Sequence, residues 1–213
     1  MPSTSGWVAL VPVKELRLAK SRLHHLEAGA RSALALAMAS DVVAAARAAR
    51  SVTAVVVVTN DVVAAARLEE LGARVVADVT DSGLDDALEN AARTAAALWP
   101  RCGVVALSSD LPCASAAALD RFLERAAGHE RAVLADRLGD GTTLLAAAPG
   151  VALNPRYGAA SRARHVLDGA HQVAAAGLER LTLDVDTPAD LEAALALGVG
   201  PHTSAVMLPA DDR

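Results

Sequence analysis

Aromatic side chains are almost missing: Trp7, Trp99, Phe122 and Tyr157 are the only four in 213 residues. A core must therefore be built from small aliphatic groups, and 51 alanines together with abundant Val and Leu supply it. Lysine is equally scarce, at two of 20 basic side chains. Acids outnumber bases 25 to 20, for a net charge of −5, which argues against a nucleic-acid partner. A run of about 18 uncharged apolar residues, the signature of a membrane span, does not occur; the stretch from Ser32 to Ala46 is broken by Asp41. The apolar opening from Trp7 to Val13 is short, lacks a preceding basic segment and runs into charges, so it is expected to be a strand and not a leader. Two cysteines, Cys102 and Cys113, form no C-x-x-C pair and fit buried inert thiols in a reducing cytoplasm. The 53% hydrophobic content excludes disorder, and a single domain over residues 1–213 is expected.

What is present alternates. Continuous apolar, β-branched runs at 7–13, 52–59, 74–77, 103–107, 132–135, 142–148 and 181–185 read as strands, most of them buried on both faces. Ala/Leu-rich stretches with helical spacing lie between and after them, at 31–50, 61–71, 84–98, 114–127, 161–176 and 188–197. Asn60 before Asp61 and Thr187 before Pro188 are helix-start chemistry, and Gly72 closes a helix. This order implies an α/β fold, a mainly parallel mixed sheet with helices on both faces. Leu138-Gly139-Asp140-Gly141 leaves no room for a helix between two strands, so one antiparallel hairpin is expected there. Residues 198–213, with Pro201 and Pro209, are expected to be irregular.

Ligands of open α/β sheets bind beyond the carboxyl ends of the strands, and four polar clusters fall at such places. Both lysines, Lys14 and Lys20, lie with Arg22 directly after the first strand, in a segment carrying neither G-x-G-x-x-G nor G-x-x-x-x-G-K-[ST]. A compact ammonium there suits phosphate oxygens; a solvated basic turn is the plain alternative. Asp110, in Ser108-Ser109-Asp110-Leu111-Pro112, ends a strand as either a helix cap or a metal ligand. Asp184 and Asp186 stand two apart on an extended segment, where paired acids repel unless a cation or donors sit between them. Such hard oxygen ligands suit Mg²⁺, although Asp186 could merely precede the Thr187-Pro188 cap. Finally, Arg156, Arg162 and Arg164 crowd the start of a helix whose dipole disfavours cations, an anomaly that a bound anion would explain and that simple solvation would also permit.

Taken together, Leu10-Val11-Pro12-Val13-Lys14, Ala19-Lys20-Ser21-Arg22-Leu23, Ser109-Asp110-Leu111-Pro112, Gly141-Thr142-Thr143-Leu144-Leu145, Arg156-Tyr157-Gly158 with Ser161 and His165, and Asp184-Val185-Asp186-Thr187-Pro188 resemble the 2-phospho-L-lactate/phosphoenolpyruvate guanylyltransferases of deazaflavin coenzyme biosynthesis. The resemblance covers nearly the whole chain. It implies a nucleotidyltransferase-A-like, Rossmann-like fold, GTP as donor and a phosphorylated three-carbon acid as acceptor. By that resemblance Asp110, Asp184 and Asp186 would hold Mg²⁺, and Lys14, Lys20 and Arg22 would neutralise the triphosphate. Thr142, Gly158 and Ser161 would place the acceptor's phosphate. Asp85, in Gly83-Leu84-Asp85-Asp86, stands where the family is expected to carry Asn and is taken as a nucleotide-binding position. The alternatives are another nucleotidyltransferase or metal-dependent glycosyltransferase of the same fold, or a nucleotide-binding module without catalysis.

Overall fold

Strand β1, Trp7–Pro12, shows how the sheet is assembled. Its side chains alternate, Trp7, Ala9 and Val11 entering one core and Val8 and Leu10 the other, so both faces are dry and the whole run must be apolar. The structure, a computed structural model, describes residues 6–78 and 83–207. Around β1 stand β2 (Val52–Val58), β3 (Arg74–Val76), β4 (Gly103–Leu107), β5 (Arg131–Ala135), β6 (Thr142–Ala147) and a two-residue β7 (His171–Gln172). The order across the sheet is β3-β2-β1-β4-β6-β5-β7. Strands β1 to β4 are mutually parallel where they pair, β5 and β7 pair in parallel, and β6 runs against both its neighbours. The expected hairpin is present at β5–β6. Its turn is held by the Asp136 carboxylate, which accepts the N–H groups of Asp140 at 3.0 Å and Gly141 at 2.9 Å, with Gly139 at φ +78°.

Helices α1 (Ala28–Ala48), α2 (Val62–Glu70) and α4 (Ala116–Ala126) cover one face; α3 (Leu84–Leu98) covers the other. On the first face Met38 aside, the contact is made by small groups, Ala39, Val42, Val43 and Ala46 of α1 against Val11, Val55 and Val57, with Phe122 of α4 fully buried. Burying a side chain of that size contributes about 2–3 kcal/mol. Asp61 caps α2 by accepting from Val63 and Ala64, and Thr187 makes a capping box with Asp190 at the start of α6 (Pro188–Leu197), as the sequence expects. A third cluster joins Leu34 and Met38 of α1 to Leu183, Val185, Leu191 and Ala194, so that α6 and the segment before it close over one end of the sheet. α1 is the one helix among the described residues long and apolar enough to cross a membrane, but it carries a buried Asp41 at mid-length and packs into this core.

Three expectations are corrected. The helix expected over 161–176 ends at Leu167 (α5, Ser161–Leu167), because Asp168 and Gly169, at φ +90°, turn the chain into β7. The strand expected at 181–185 is a 3₁₀ turn at Glu179–Leu181 followed by an extended segment. Its backbone bonds go to loops, Arg137 N–H to Thr182 O at 2.7 Å and Val185 N–H to Asp110 O at 3.1 Å, and not to a ladder. The tail expected to be irregular from 198 folds into α7, Pro201–Met207. The cause is remote: Asp41 of α1 accepts the N–H groups of His202 and Thr203, each at 2.9 Å, and satisfies a helix start that its own sequence leaves uncapped. Gly200 permits the approach, since a Cβ there would lie 2.3 Å from the Asp41 carboxylate. Residues 208–213 of that expected tail lie outside the described residues.

Candidate active site

The sheet order reverses at β1, with β2 on one side and β4 on the other, and the crevice opens at the carboxyl ends of β1 and β4. The loop after β1 is pinned there: Leu16 N–H donates to Asp61 at 2.9 Å, and Ser32 donates to Leu16 O at 3.1 Å. It then turns through Lys20, which adopts a left-handed φ of +54°, a conformation an L residue holds only when its surroundings fix it. What fixes it is charge. Lys20 Nζ donates to Asp110 Oδ2 at 2.6 Å, just beyond β4, and to Asp186 Oδ1 at 3.1 Å, in the segment before α6. Arg22 reaches the other oxygen of Asp186 at 3.3 Å. Burial favours the neutral amine, but the two carboxylates outweigh it and raise the Lys20 pKa above its ordinary value. Lys14, Lys20, Arg22, Asp110 and Asp186 line one cleft of about 380 Å³, with Ser108, Ser109 and Leu84.

The three expected metal ligands are partly brought together. Asp110 and Asp186 converge on a single cationic atom, the position a hard cation would share. Asp184 is half-buried beside them; burial first, and Asp110 second, push its carboxyl up to about 7. Among the described residues no group of three or more His, Cys, Asp or Glu is placed to hold a metal ion. The donor set that does converge, two carboxylates beside a third, has the hard oxygen chemistry that Mg²⁺ combines with substrate phosphates and water.

On the other side of Asp110, Ser108 N–H donates to Thr143 O at 3.0 Å and sets the start of β6 against the end of β4, which puts Thr142 next to the Ser109-Asp110 turn. Thr142 Oγ1 meets His165 Nδ1 of α5 at 3.0 Å. Gly158, at φ +102°, lies in the loop before α5, and a Cβ there would come within 3.1 Å of the Arg164 guanidinium. Ser161 is the first residue of α5 and is buried; the cap position belongs to Ala160, left-handed and without a side-chain cap. The arginines need no anion to explain them. Arg164 donates to the carbonyls of Tyr157 and Ala159, Arg162 to Gly139 O and Gln172, and Arg156 to Asp168, so each ties loop to loop. Asp85, expected at the nucleotide, accepts the N–H of Tyr157 at 2.9 Å and thus faces this loop. Cys113 is buried, its thiol pushed up to about 11 by burial; Cys102 is half-buried, less enclosed than expected.

Against known proteins, the family model described as guanylyl transferase CofC like matches residues 7–207. The chain belongs to that family. CofC-like relatives include a phosphoenolpyruvate guanylyltransferase of Thermomonospora curvata, 51% identical over 200 residues, covering 94% of this chain and 88% of the relative. Another of the same name, from Streptomyces avermitilis, is also 51% identical and covers 93% of each chain. Among solved structures, a CMP:2-keto-3-deoxy-manno-octonic acid synthetase complexed with CTP superposes with a TM-score of 0.57 at 18% identity, over 91% of this chain and 98% of that one. A Mycobacterium tuberculosis protein in complex with manganese gives 0.53 at 19% identity, over 90% and 98%. The CofC-like chain thus has the nucleotidyltransferase fold that its motifs led one to expect.

Residues that motif reading left without a role are those that hold the loop before α5. Glu89 accepts Asn154 N–H at 2.9 Å and His165 Nε2 accepts Arg156 N–H at 2.8 Å. Spacing could not reveal them, since each takes up a backbone group, which any residue type can offer, Glu89 from 65 residues away and His165 from nine.

Proposed function

We propose that this chain transfers GMP from GTP to the phosphate of phosphoenolpyruvate, releasing pyrophosphate, as a step in deazaflavin coenzyme assembly in the cytoplasm. The observation that carries the reading is the Lys20 ammonium bridging Asp110 and Asp186 at the switch point of the sheet, in a chain half identical to phosphoenolpyruvate guanylyltransferases. An oxygen of the acceptor's phosphate attacks the α-phosphorus, the new P–O–P bond forms, the α–β anhydride bond breaks, and pyrophosphate leaves with the electron pair. The acceptor needs no general base, because a phosphate monoester with a second pKa near 6 is already largely dianionic at pH 7. The work left to the protein is to hold two anions in line and to neutralise their charge.

Lys14, Lys20 and Arg22 face the triphosphate from the β1 loop. Thr142, Gly158 and Ser161 face the acceptor's phosphate from β6 and the start of α5, with Asp110 between the two groups. Mg²⁺ held by Asp110, Asp184 and Asp186 would supply Lewis-acid neutralisation of phosphate oxygens when bound. Asp85 acts on this scheme by shaping the 154–158 loop, and its effect on the nucleotide is indirect. The test is to incubate the protein and magnesium with GTP and, separately, phosphoenolpyruvate, 2-phospho-L-lactate or 3-phosphoglycerate, measuring pyrophosphate and the mass of the product. Pyrophosphate with GTP and phosphoenolpyruvate is expected; none with any acceptor refutes the reading, and turnover only with another nucleotide reassigns the donor.

A further inference from the structure

The loop before α5 is gripped by its backbone N–H groups: Glu89 takes that of Asn154, His165 that of Arg156 and Asp85 that of Tyr157. Only His165 of these three also touches a residue assigned to the acceptor, through Nδ1 to Thr142 Oγ1 at 3.0 Å. The two contacts determine where its proton is. A backbone N–H can only donate, so Nε2 presents its lone pair to Arg156, and a neutral ring then carries its hydrogen on Nδ1.

Neutrality follows from the surroundings. The ring is 1% exposed, and burial is the main reason its pKa falls to about 4. Of the charged groups that face it, Asp85 on α3 and Asp168 after α5 favour the cation, while Arg164 on α5 and Arg131 on β5 oppose it. The Tyr157 ring meets it edge-on at 5.3 Å. Nδ1–H therefore donates to Thr142 Oγ1. The hydroxyl's own proton has no acceptor among the described residues and must point away from the ring.

We infer that His165 is a positioning residue of the acceptor site, which holds the Thr142 hydroxyl as a hydrogen-bond donor toward an anionic oxygen and fixes it relative to the loop that carries Gly158 and leads into Ser161. The inference rests on the reading that Thr142, Gly158 and Ser161 receive the acceptor's phosphate. A phosphate dianion offers only acceptor oxygens; were Nδ1 an acceptor, the hydroxyl would spend its proton on the ring and turn only lone pairs to the phosphate, and the Nδ1–H tautomer removes that option. His165 takes no proton in the reaction.

The experiment compares wild type with Thr142→Val, His165→Gln, His165→Asn and the double variant Thr142→Val/His165→Gln, reading KM separately for phosphoenolpyruvate and GTP. Gln places its amide near the Nε2 position and can accept from Arg156 but offers nothing at Nδ1; Asn places an N–H near Nδ1 and can still donate to Thr142. The expected result is a rise of about tenfold or more in the phosphoenolpyruvate KM for Thr142→Val and for His165→Gln, with the GTP KM unchanged. The double variant should be no worse than Thr142→Val alone, and His165→Asn should recover most of the affinity. The nitrogen NMR spectrum of the wild-type imidazoles should show His165 protonated at Nδ1 and unprotonated at Nε2 through the neutral range, a readout that stands even if a variant fails to fold. A His165→Gln enzyme with wild-type phosphoenolpyruvate KM beside an impaired Thr142→Val, an additive double variant, or an Nε2–H tautomer overturns the role of His165. An unimpaired Thr142→Val instead overturns the acceptor-site reading beneath it, and the inference with it.

Discussion

Replacing Lys20 by Met keeps the length and most of the apolar stem of the side chain but removes the cation shared by Asp110 and Asp186. The Lys20 side chain is 9% exposed, that of Asp110 24% and that of Asp186 48%. Removing one partner of a fully buried pair costs about 3–5 kcal/mol, whereas an exposed pair is worth about 0–1. This site lies between, nearer the exposed limit at Asp186, so a loss of about 2 kcal/mol is expected at neutral pH. For a chain of this length that corresponds to a fall of roughly 4–8 °C in Tm. The carboxylates left behind still repel one another, and a divalent cation is the group best able to replace the ammonium. Magnesium should therefore raise the Tm of Lys20→Met more than that of wild type, because in wild type it competes with a charge already in place. The measurement is thermal unfolding of both proteins over a magnesium titration, with sodium chloride holding ionic strength constant. An unchanged Tm without magnesium would refute the claim that Lys20 is held by buried charge. Equal magnesium shifts in the two proteins would refute the claim that ammonium and metal share the site. Turnover should fall by orders of magnitude in the same variant.

Four further outcomes are expected. Asp110→Asn should abolish pyrophosphate release while lowering stability by about 1–2 kcal/mol at most, since the partly exposed carboxylate does little packing; full activity would remove Asp110 from the site. Ser161→Ala should leave stability within about 0.5 kcal/mol of wild type, because Ser161 does not cap α5, yet raise the KM for phosphoenolpyruvate; unchanged acceptor kinetics would take this residue out of the acceptor site. His165 has a folded pKa near 4, below its ordinary 6.5, so the fold prefers the neutral ring: its contribution is complete above pH 6.5 and is lost as pH falls toward 4. Urea unfolding should thus show about 3 kcal/mol less stability at low pH from this group, a component missing from His165→Gln, and identical pH dependence of the two would contradict it. Thr203 buries a hydroxyl with no hydrogen-bond partner among the described residues, so Thr203→Val should be neutral or stabilising by about 1 kcal/mol in the same assay, and a marked loss would mean that the hydroxyl is satisfied in solution.

The parts of the fold that could be read from sequence are those whose cause is local. α3 and α6 occupy the expected ranges, 84–98 and 188–197, because first-turn acids in one and a Thr-Pro capping box in the other lie beside the helix they start. The strands of the central sheet could be read because burial on both faces leaves only apolar residues in them. α7 could not be read, since its cap is a carboxylate 161 residues earlier in the chain, and nothing near Pro201 announces it. The segment 181–185 looked like a strand for a sound reason, its alternating apolar residues, but Leu183 and Val185 bury themselves against α1 and α6 instead of in a ladder. In the site the same distinction separates the two halves. The cleft beyond β1 and β4 is a matter of residue types at strand ends, and Lys14, Lys20, Arg22, Asp110 and Asp186, which line it together, can be grouped from type and place alone. The loop before α5, proposed to face the acceptor, is a matter of backbone presentation, in which Arg164 takes up carbonyls while Asp85, Glu89 and His165 take up N–H groups. Any residue type can offer a peptide group, so no pattern in 154–160 encodes which of them will be gripped. That is why the arginines of α5 suggest a missing anion in the sequence, when Arg164 is spent on the carbonyl oxygens of the loop before α5 and Arg162 on Gly139 O and the Gln172 side chain.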